Sequence, residues 1–460
     1  MGLTRRGFLS GTGGFTAALA MPGAIAAEGG TPVALVARER SHRLPGCEAP
    51  SALWSYGDAW PLELRVKRGR TFVAGLRNEL KEHTTIHWHG VRVPHAMDGV
   101  PYMTQDPVLP GQSFRYEFAP PDPGTFFFHP HCDTVTQLGR GLAGVLIVED
   151  PRVEGLFDLD RTLVLKDWRV RPDGGFDAFM TDAGAGKAGT FGQLRTVNGG
   201  AAPTIEAAPG ARVRLRLVNL DPTRIPVLGT RGAAVTIIAT DGNACDPFPA
   251  ADWRLGPAMR ADLAFTIPAK PGADVAIEDV WGAKPFLLAR VVASAAPVRI
   301  AAKPPAMRLP TADLPNPVLR GAERLEFSLA TGHVDPALEA WAKESGMSLD
   351  SLCLSQKIFW SINKQAWPGM SHDKKVAPLA ELKSGRTYVA ELFNTTPHTH
   401  PMHLHGHTFR VQRASKSKLR PHWADTVLWR RTNAWRSPSW PGSPATGCST
   451  VTLSNTRKPG

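Results

Sequence analysis

Residues 398–407 read HTHPMHLHGH, five histidines within ten residues. Neutral imidazole suits copper, zinc and iron, and a dense histidine cluster without carboxylates leans towards copper or zinc. Within the run, His400, His403 and His405 form an H-x-x-H-x-H pattern. Residues two apart on a strand point to one face, so His403 and His405 can grip neighbouring metals if a strand carries them. Two earlier pairs repeat the spacing: His87 and His89 in IHWHG, and His129 and His131 in FFFHPHCD. One such pair would read as a surface turn. Three pairs from distant segments argue that the fold gathers them around metal.

The elements that must do the gathering read as strands. Short apolar-alternating runs separated by Gly, Pro, Asn and Asp dominate, for example Arg212 to Val218 and Val235 to Ile238, and such runs argue for an all-β protein of sandwich domains. The best candidate for a short helix is 337–352. A chain of 460 residues is too long for one core and suits two or three domains. The first spans 31–150 and carries both early pairs. The second spans 158–295 and has no metal motif, so it reads as a spacer. A proline-rich, extended linker follows over 296–318. The third spans 320–428 and carries the histidine-rich run.

The N-terminus reads as a targeting segment outside the fold. Thr4-Arg5-Arg6-Gly7-Phe8-Leu9 has the form of a twin-arginine export signal, and Ala24-Ile25-Ala26 offers a cleavage site, so residues 1–27 are assigned to a signal peptide. The weakly apolar stretch between them is too short and glycine-rich to span a membrane. The expected partner in export is the twin-arginine machinery, and the expected location is periplasmic or secreted. The formal charge of +12 does not indicate nucleic acid, because no Lys/Arg run has interleaved aromatics. Five widely spaced cysteines give no readable disulfide framework, although Cys245 with Cys353 is open in an oxidising compartment. Cys132 follows His131 directly; alternation turns it away from the face His131 uses, so it reads as a structural or free thiol.

The motifs HWHG, HPH and HPMHLHGHTF, in this order, resemble the multicopper oxidases, the laccase-like enzymes. The resemblance runs from about residue 40 to Leu428 and implies three cupredoxin-like Greek-key β-sandwich domains. It also implies four coppers: a mononuclear blue copper held by two His and a Cys, and a three-copper cluster held by imidazoles. By resemblance, His87 and His403 hold the single cluster copper. His89, His129, His131 and His405 hold the coupled pair, and His400 is one ligand of the blue copper. His83, His95, His398, His407 and His422 lie off the motif spacing and read as core or turn histidines. Oxygen reduction consumes protons, so a carboxylate near the cluster is expected. Asp98 matches the family's acidic position, and Asp425 has a weaker claim.

The end of the chain departs from the family. The fourth motif, H-C-H-x-x-x-H-x-x-x-x-M, should follow Leu428, but residues 429–460 hold no histidine, and Cys448 has none beside it. Read out of frame from the Trp429 codon, codon degeneracy permits the missing motif in its expected place. A one-base deletion there would account for the aberrant tail. The expected consequences are a lost blue copper, a third domain without its closing strands, and an open sheet edge.

The function implied by the resemblance is one-electron oxidation of a donor coupled to four-electron reduction of dioxygen to water. The partners are then dioxygen and a small-molecule or metal-ion electron donor. Ten scattered Met residues argue against a methionine-rich cuprous site and lean towards phenolic donors. A non-enzymatic cupredoxin-fold structural or partner-binding protein is the alternative. It has no need of seven matching histidines.

Overall fold

The computed structural model describes residues 24–26, 32–186, 188–295, 307–331, 344–345, 360–365, 378–414, 420–430 and 449–454. Paired sheets dominate them, as the alternating runs predict. In the first sandwich, one sheet carries the strands Leu62–Lys67, Gly144–Glu149, Gly124–His129 and His87–His89, and the facing sheet carries Ser51–Ser55, Val33–His42, Phe72–Asn78 and Ser113–Phe118. Side chains such as Leu35, Leu64, Trp88, Tyr116 and Phe128 are fully buried between the two layers. Burying a large apolar side chain contributes about 1.5–3 kcal/mol, so this layer is what rigidly seats the two early histidine pairs.

A second apolar core draws on residues 163–293 between a six-stranded and a four-stranded sheet. A third, smaller one joins Leu329, Tyr388, Ala390, Phe409, Val411 and Trp429. Residues 307–319 form neither helix nor strand, yet Met307 and Leu309 pack against Ile238, Ala239 and Ala264. That stretch therefore lies along the second sandwich.

Two expectations are corrected. The tail does not leave the third sheet open: Ser449–Ser454 lies between Thr387–Asn394 and Phe409–Ala414, antiparallel to both. The reason is local composition. STVTLS carries β-branched residues, which fit a pleated surface, and two unsatisfied strand edges flank the slot. The predicted signal segment is not wholly outside the fold either, because Ala24–Ala26 runs parallel to Leu62–Lys67, whose edge would otherwise be bare. The twin-arginine motif and most of the expected helix at 337–352 lie outside the described residues.

Candidate metal centre

The strand His87–His89 pairs antiparallel with Gly124–His129 in a register that sets His87 opposite His129 and Trp88 opposite Phe128. Alternation then separates the roles. Trp88 turns into the core, edge-on to Phe72 with ring centroids 5.3 Å apart, while His87 and His89 share the other face at 5.6 Å. The other two pairs are not strand pairs, contrary to the expectation for His403 and His405. Proline 130 has no N–H to donate to a ladder, so the strand stops at His129 and His131 sits in the connection beyond it. The strand His400–His403 ends at His403, and His405 stands in a turn that Gly406 completes at φ +64.

The three segments nevertheless converge. The His87 ring stacks on His405 at 3.9 Å and lies 5.4 Å from His129 and 5.7 Å from His131. The His89 ring stacks on His403 at 3.6 Å. Two groups of side chains bring ligand atoms close enough to hold a metal ion: His87 with His89 and His403, and His87 with Asp98 and His405. Six of the seven expected ligands thus meet in one place. His400 does not join them. It is three residues from His403 on one strand, so the two point to opposite faces. It packs edge-on to Trp360 at 4.6 Å and meets the Thr396 hydroxyl at 2.9 Å.

Backbone carbonyls set the direction of the key rings. His87 Nδ1 lies 2.8 Å from the Asp98 carbonyl oxygen, and His403 Nδ1 lies 2.8 Å from the Asp425 carbonyl oxygen. Each bond fixes the proton on Nδ1 and leaves Nε2 as the free donor atom. The two Nε2 atoms face each other at 3.4 Å. His129 is held the same way, its Nδ1 2.9 Å from the Pro130 carbonyl oxygen. His405 Nδ1 is 2.9 Å from the Asp98 carboxylate.

Burial keeps His87, His89, His129, His131 and His403 neutral, as a metal ligand must be. Burial, with the neighbouring His405, pulls His87 down to about 4. Burial, with His87 and His405, takes His131 to about 3. His89 and His129 fall well below the usual histidine range for the same reason. Burial alone would raise Asp98, but hydrogen bonds from His405 and His87 outweigh it and hold its carboxyl well below the usual range.

A residue that sequence reasoning missed joins the three sandwiches beneath the cluster. Arg260 is fully buried, donates from Nε to the Thr125 carbonyl at 3.1 Å, and grips the Asp425 carboxylate through both terminal nitrogens. Asp241 accepts from the backbone N–H groups of Asp425 and Thr426. The Asp425 segment, and with it His403, is thereby tied to the second sandwich. No motif marks Arg260, the one arginine of the strand RADLAFT. Asp241 lies in TDGN, where Asp-Gly is the sequence of an ordinary turn.

Two of the off-motif histidines make local contacts. His422 is buried beside Trp253, and His407 Nδ1 lies 2.9 Å from the His405 carbonyl oxygen. Cys132 is buried with Sγ 3.9 Å from the Thr85 hydroxyl, and burial pushes its thiol up to about 11, which suits a structural thiol and not a thiolate ligand. Among the described residues Cys245 has no disulfide partner, and Cys353 lies outside them.

Residues 38–153 and 354–437 each match a family model described as multicopper oxidase. The chain is 33% identical to a multi-copper oxidase of solved structure from Pseudomonas thermotolerans, with TM-score 0.76 over 94% of this chain and 93% of that one. It is 34% identical to another from Pseudomonas parafulva, with TM-score 0.75 over 93% and 94%. Among curated proteins it is 27% identical to the multicopper oxidase MmcO of Mycobacterium tuberculosis, covering 89% of this chain and 82% of that protein.

Proposed function

This chain belongs to the multicopper oxidase family, and we propose that its cluster is built for four-electron reduction of dioxygen, fed by one-electron oxidation of a phenolic or other small organic donor. The observation that carries this reading is the pair of Nε2 atoms of His87 and His403, aimed at each other at 3.4 Å with four further imidazoles around them. The donor set fits copper: imidazole nitrogens, of which those of His87, His403, His129 and His405 each have Nδ1 held by a carbonyl or carboxylate. When bound, copper would accept single electrons from the donor and pass them to dioxygen. His87 and His403 would hold one ion. His89, His129, His131 and His405 would hold the coupled pair.

Asp98 serves this site in two ways. Its Oδ2 accepts the Nδ1 proton of His405, which aims that ring. Its Oδ1 is buried with His87 Nδ1 3.4 Å away, so both oxygens of the carboxylate face cluster imidazoles. A carboxylate in that position is the catalytic group we assign.

The tail limits the activity of this chain. His400 belongs to neither metal-binding group among the described residues, and no histidine follows Trp429 to complete a blue site. Electrons from a donor then have no entry, and turnover should be near zero until the reading frame is repaired. The signal motif at Arg5 and Arg6 supports twin-arginine export to the periplasm or beyond. Among the described residues no helix is long and apolar enough to cross a membrane. The intact cluster geometry weighs against a purely structural cupredoxin-fold protein.

The test is dioxygen uptake by the repaired, copper-loaded chain with a phenolic dye. Uptake that depends on the dye and is lost in His403→Ala supports the reading. A repaired, copper-replete protein that consumes no dioxygen overturns it.

A further inference from the structure

Gly90 stands where the three sandwiches meet. It follows His89 directly and takes φ +81, in a turn where the Val91 N–H donates to the Trp88 carbonyl at 3.1 Å. That backbone conformation alone favours glycine, and space demands it as well. A Cβ on Gly90 would stand under 3.0 Å from both Asp425 Oδ2 and Arg260 Nη2. These two atoms make one arm of a fork: Nη2 donates to Oδ2, while Nη1 donates to Oδ1 at 2.8 Å. The ion pair between the second and third sandwiches therefore closes against the bare Cα of a residue in the first.

Neither partner has room to retreat. Asp425 and Arg260 are both fully buried. Asp425 Oδ1 also accepts from the Thr426 hydroxyl at 2.9 Å and lies 3.3 Å from His89 Nε2. The carbonyl of the same residue aims His403, 2.8 Å from its Nδ1. A methyl group at position 90 that displaces Asp425 is thus felt by the ring of His403. Gly111 offers a contrast. It takes φ +76, but nothing lies within 4 Å of a Cβ built there. The two glycines separate backbone strain from contact.

We propose that Gly90 is a positioning residue for the cluster: its missing side chain lets the Arg260–Asp425 pair close against the first sandwich, and that closure seats His403 opposite His87. The consequence for copper rests on the cluster being a copper site, whereas the consequence for the His403 ring needs no metal.

The experiment compares Gly90→Ala with Gly111→Ala in the full chain. Proton NMR of the copper-free protein follows the Nδ1 protons of His403 and His129, identified by their loss in His403→Ala and His129→Ala. His403 is aimed by Asp425 and His129 by Pro130. Gly90→Ala should therefore move the His403 signal and leave that of His129 in place, and Gly111→Ala should move neither. Under competition with a chelator, Gly90→Ala should bind copper about tenfold or more weakly than Gly111→Ala, the size of effect expected when a ligand loses its orienting partner. Arg260→Lys keeps the cation but has no Nη2, so Asp425 Oδ2 is free to turn from the methyl group. In that background Gly90→Ala should cost far less copper affinity. If Gly90→Ala alone does not fold, the double variant decides: a folded one supports the proposal and an unfolded one overturns it. An unmoved His403 signal, equal copper loss at Gly90 and Gly111, or the same loss with either residue at position 260 would also overturn it. If the parent chain binds no copper, the oxidase reading fails and the His403 signal still decides this one.

Discussion

His87 and His403 stand 316 positions apart in the chain, yet their Nε2 atoms face each other at 3.4 Å. Each ring is aimed by a carbonyl on its Nδ1 side, Asp98 for one and Asp425 for the other. The same strand that presents His403 turns His400 the opposite way. His403→Ala should therefore lower copper content with little change in fold. His400→Ala should leave the cluster copper untouched. Metal analysis of the two purified variants decides this, and equal copper loss in both would remove the distinction.

Arg260 should matter as much as a ligand, without touching metal. Arg260→Leu leaves Asp425 and Asp241 buried without their cation, and breaking a buried pair costs about 3–5 kcal/mol. A urea midpoint well below the parent's, together with weaker copper uptake, is the expected outcome. A midpoint equal to the parent's would mean that the three sandwiches are joined elsewhere.

The carboxylate of Asp98 acts on copper through His405. Asp98→Ala should weaken copper affinity roughly 10- to 100-fold while Asp98→Asn, which keeps an acceptor for His405 Nδ1, recovers most of it. Competition with a chelator measures both. Identical affinities in all three proteins would count against an orienting role.

Without metal, the cluster should make the protein acid-sensitive. His87 titrates at about 4 and His131 at about 3, below the unfolded value near 6.5. Above that value neither state is protonated and the groups contribute no pH dependence. As pH falls below it, the unfolded chain takes up protons that the folded chain refuses, so stability drops progressively towards pH 3–4. Denaturant unfolding of the copper-free chain between pH 7 and 4.5 tests the sign. A stability that stays flat or rises on acidification contradicts it.

Much of this site was legible in the sequence, and the rest was hidden for identifiable reasons. Alternation places His87 and His89 on one face with Trp88 behind them, and the strand obeys it. The same rule misplaces His405 and His131, because Pro130 and Gly406 end the strands and turns supply the convergence. Arg260 and Asp241 gave no signal: their importance comes from contacts with Asp425, 165 and 184 positions away. The strand Ser449–Ser454 was readable from its β-branched run but was obscured by the Arg-, Pro- and Trp-rich residues before it. Backbone pairing closes the sheet there even though the expected motif is missing.

We propose that this chain keeps the oxygen-reducing cluster but lacks the blue copper. Visible absorption of the copper-loaded protein tests it most directly, because the intense colour of a blue site arises from the bond between copper and a Cys thiolate. The 460-residue chain should bind copper at the cluster and show no strong visible band. Inserting one base before the Trp429 codon should turn it blue. A strong visible band from the unrepaired chain would contradict the account.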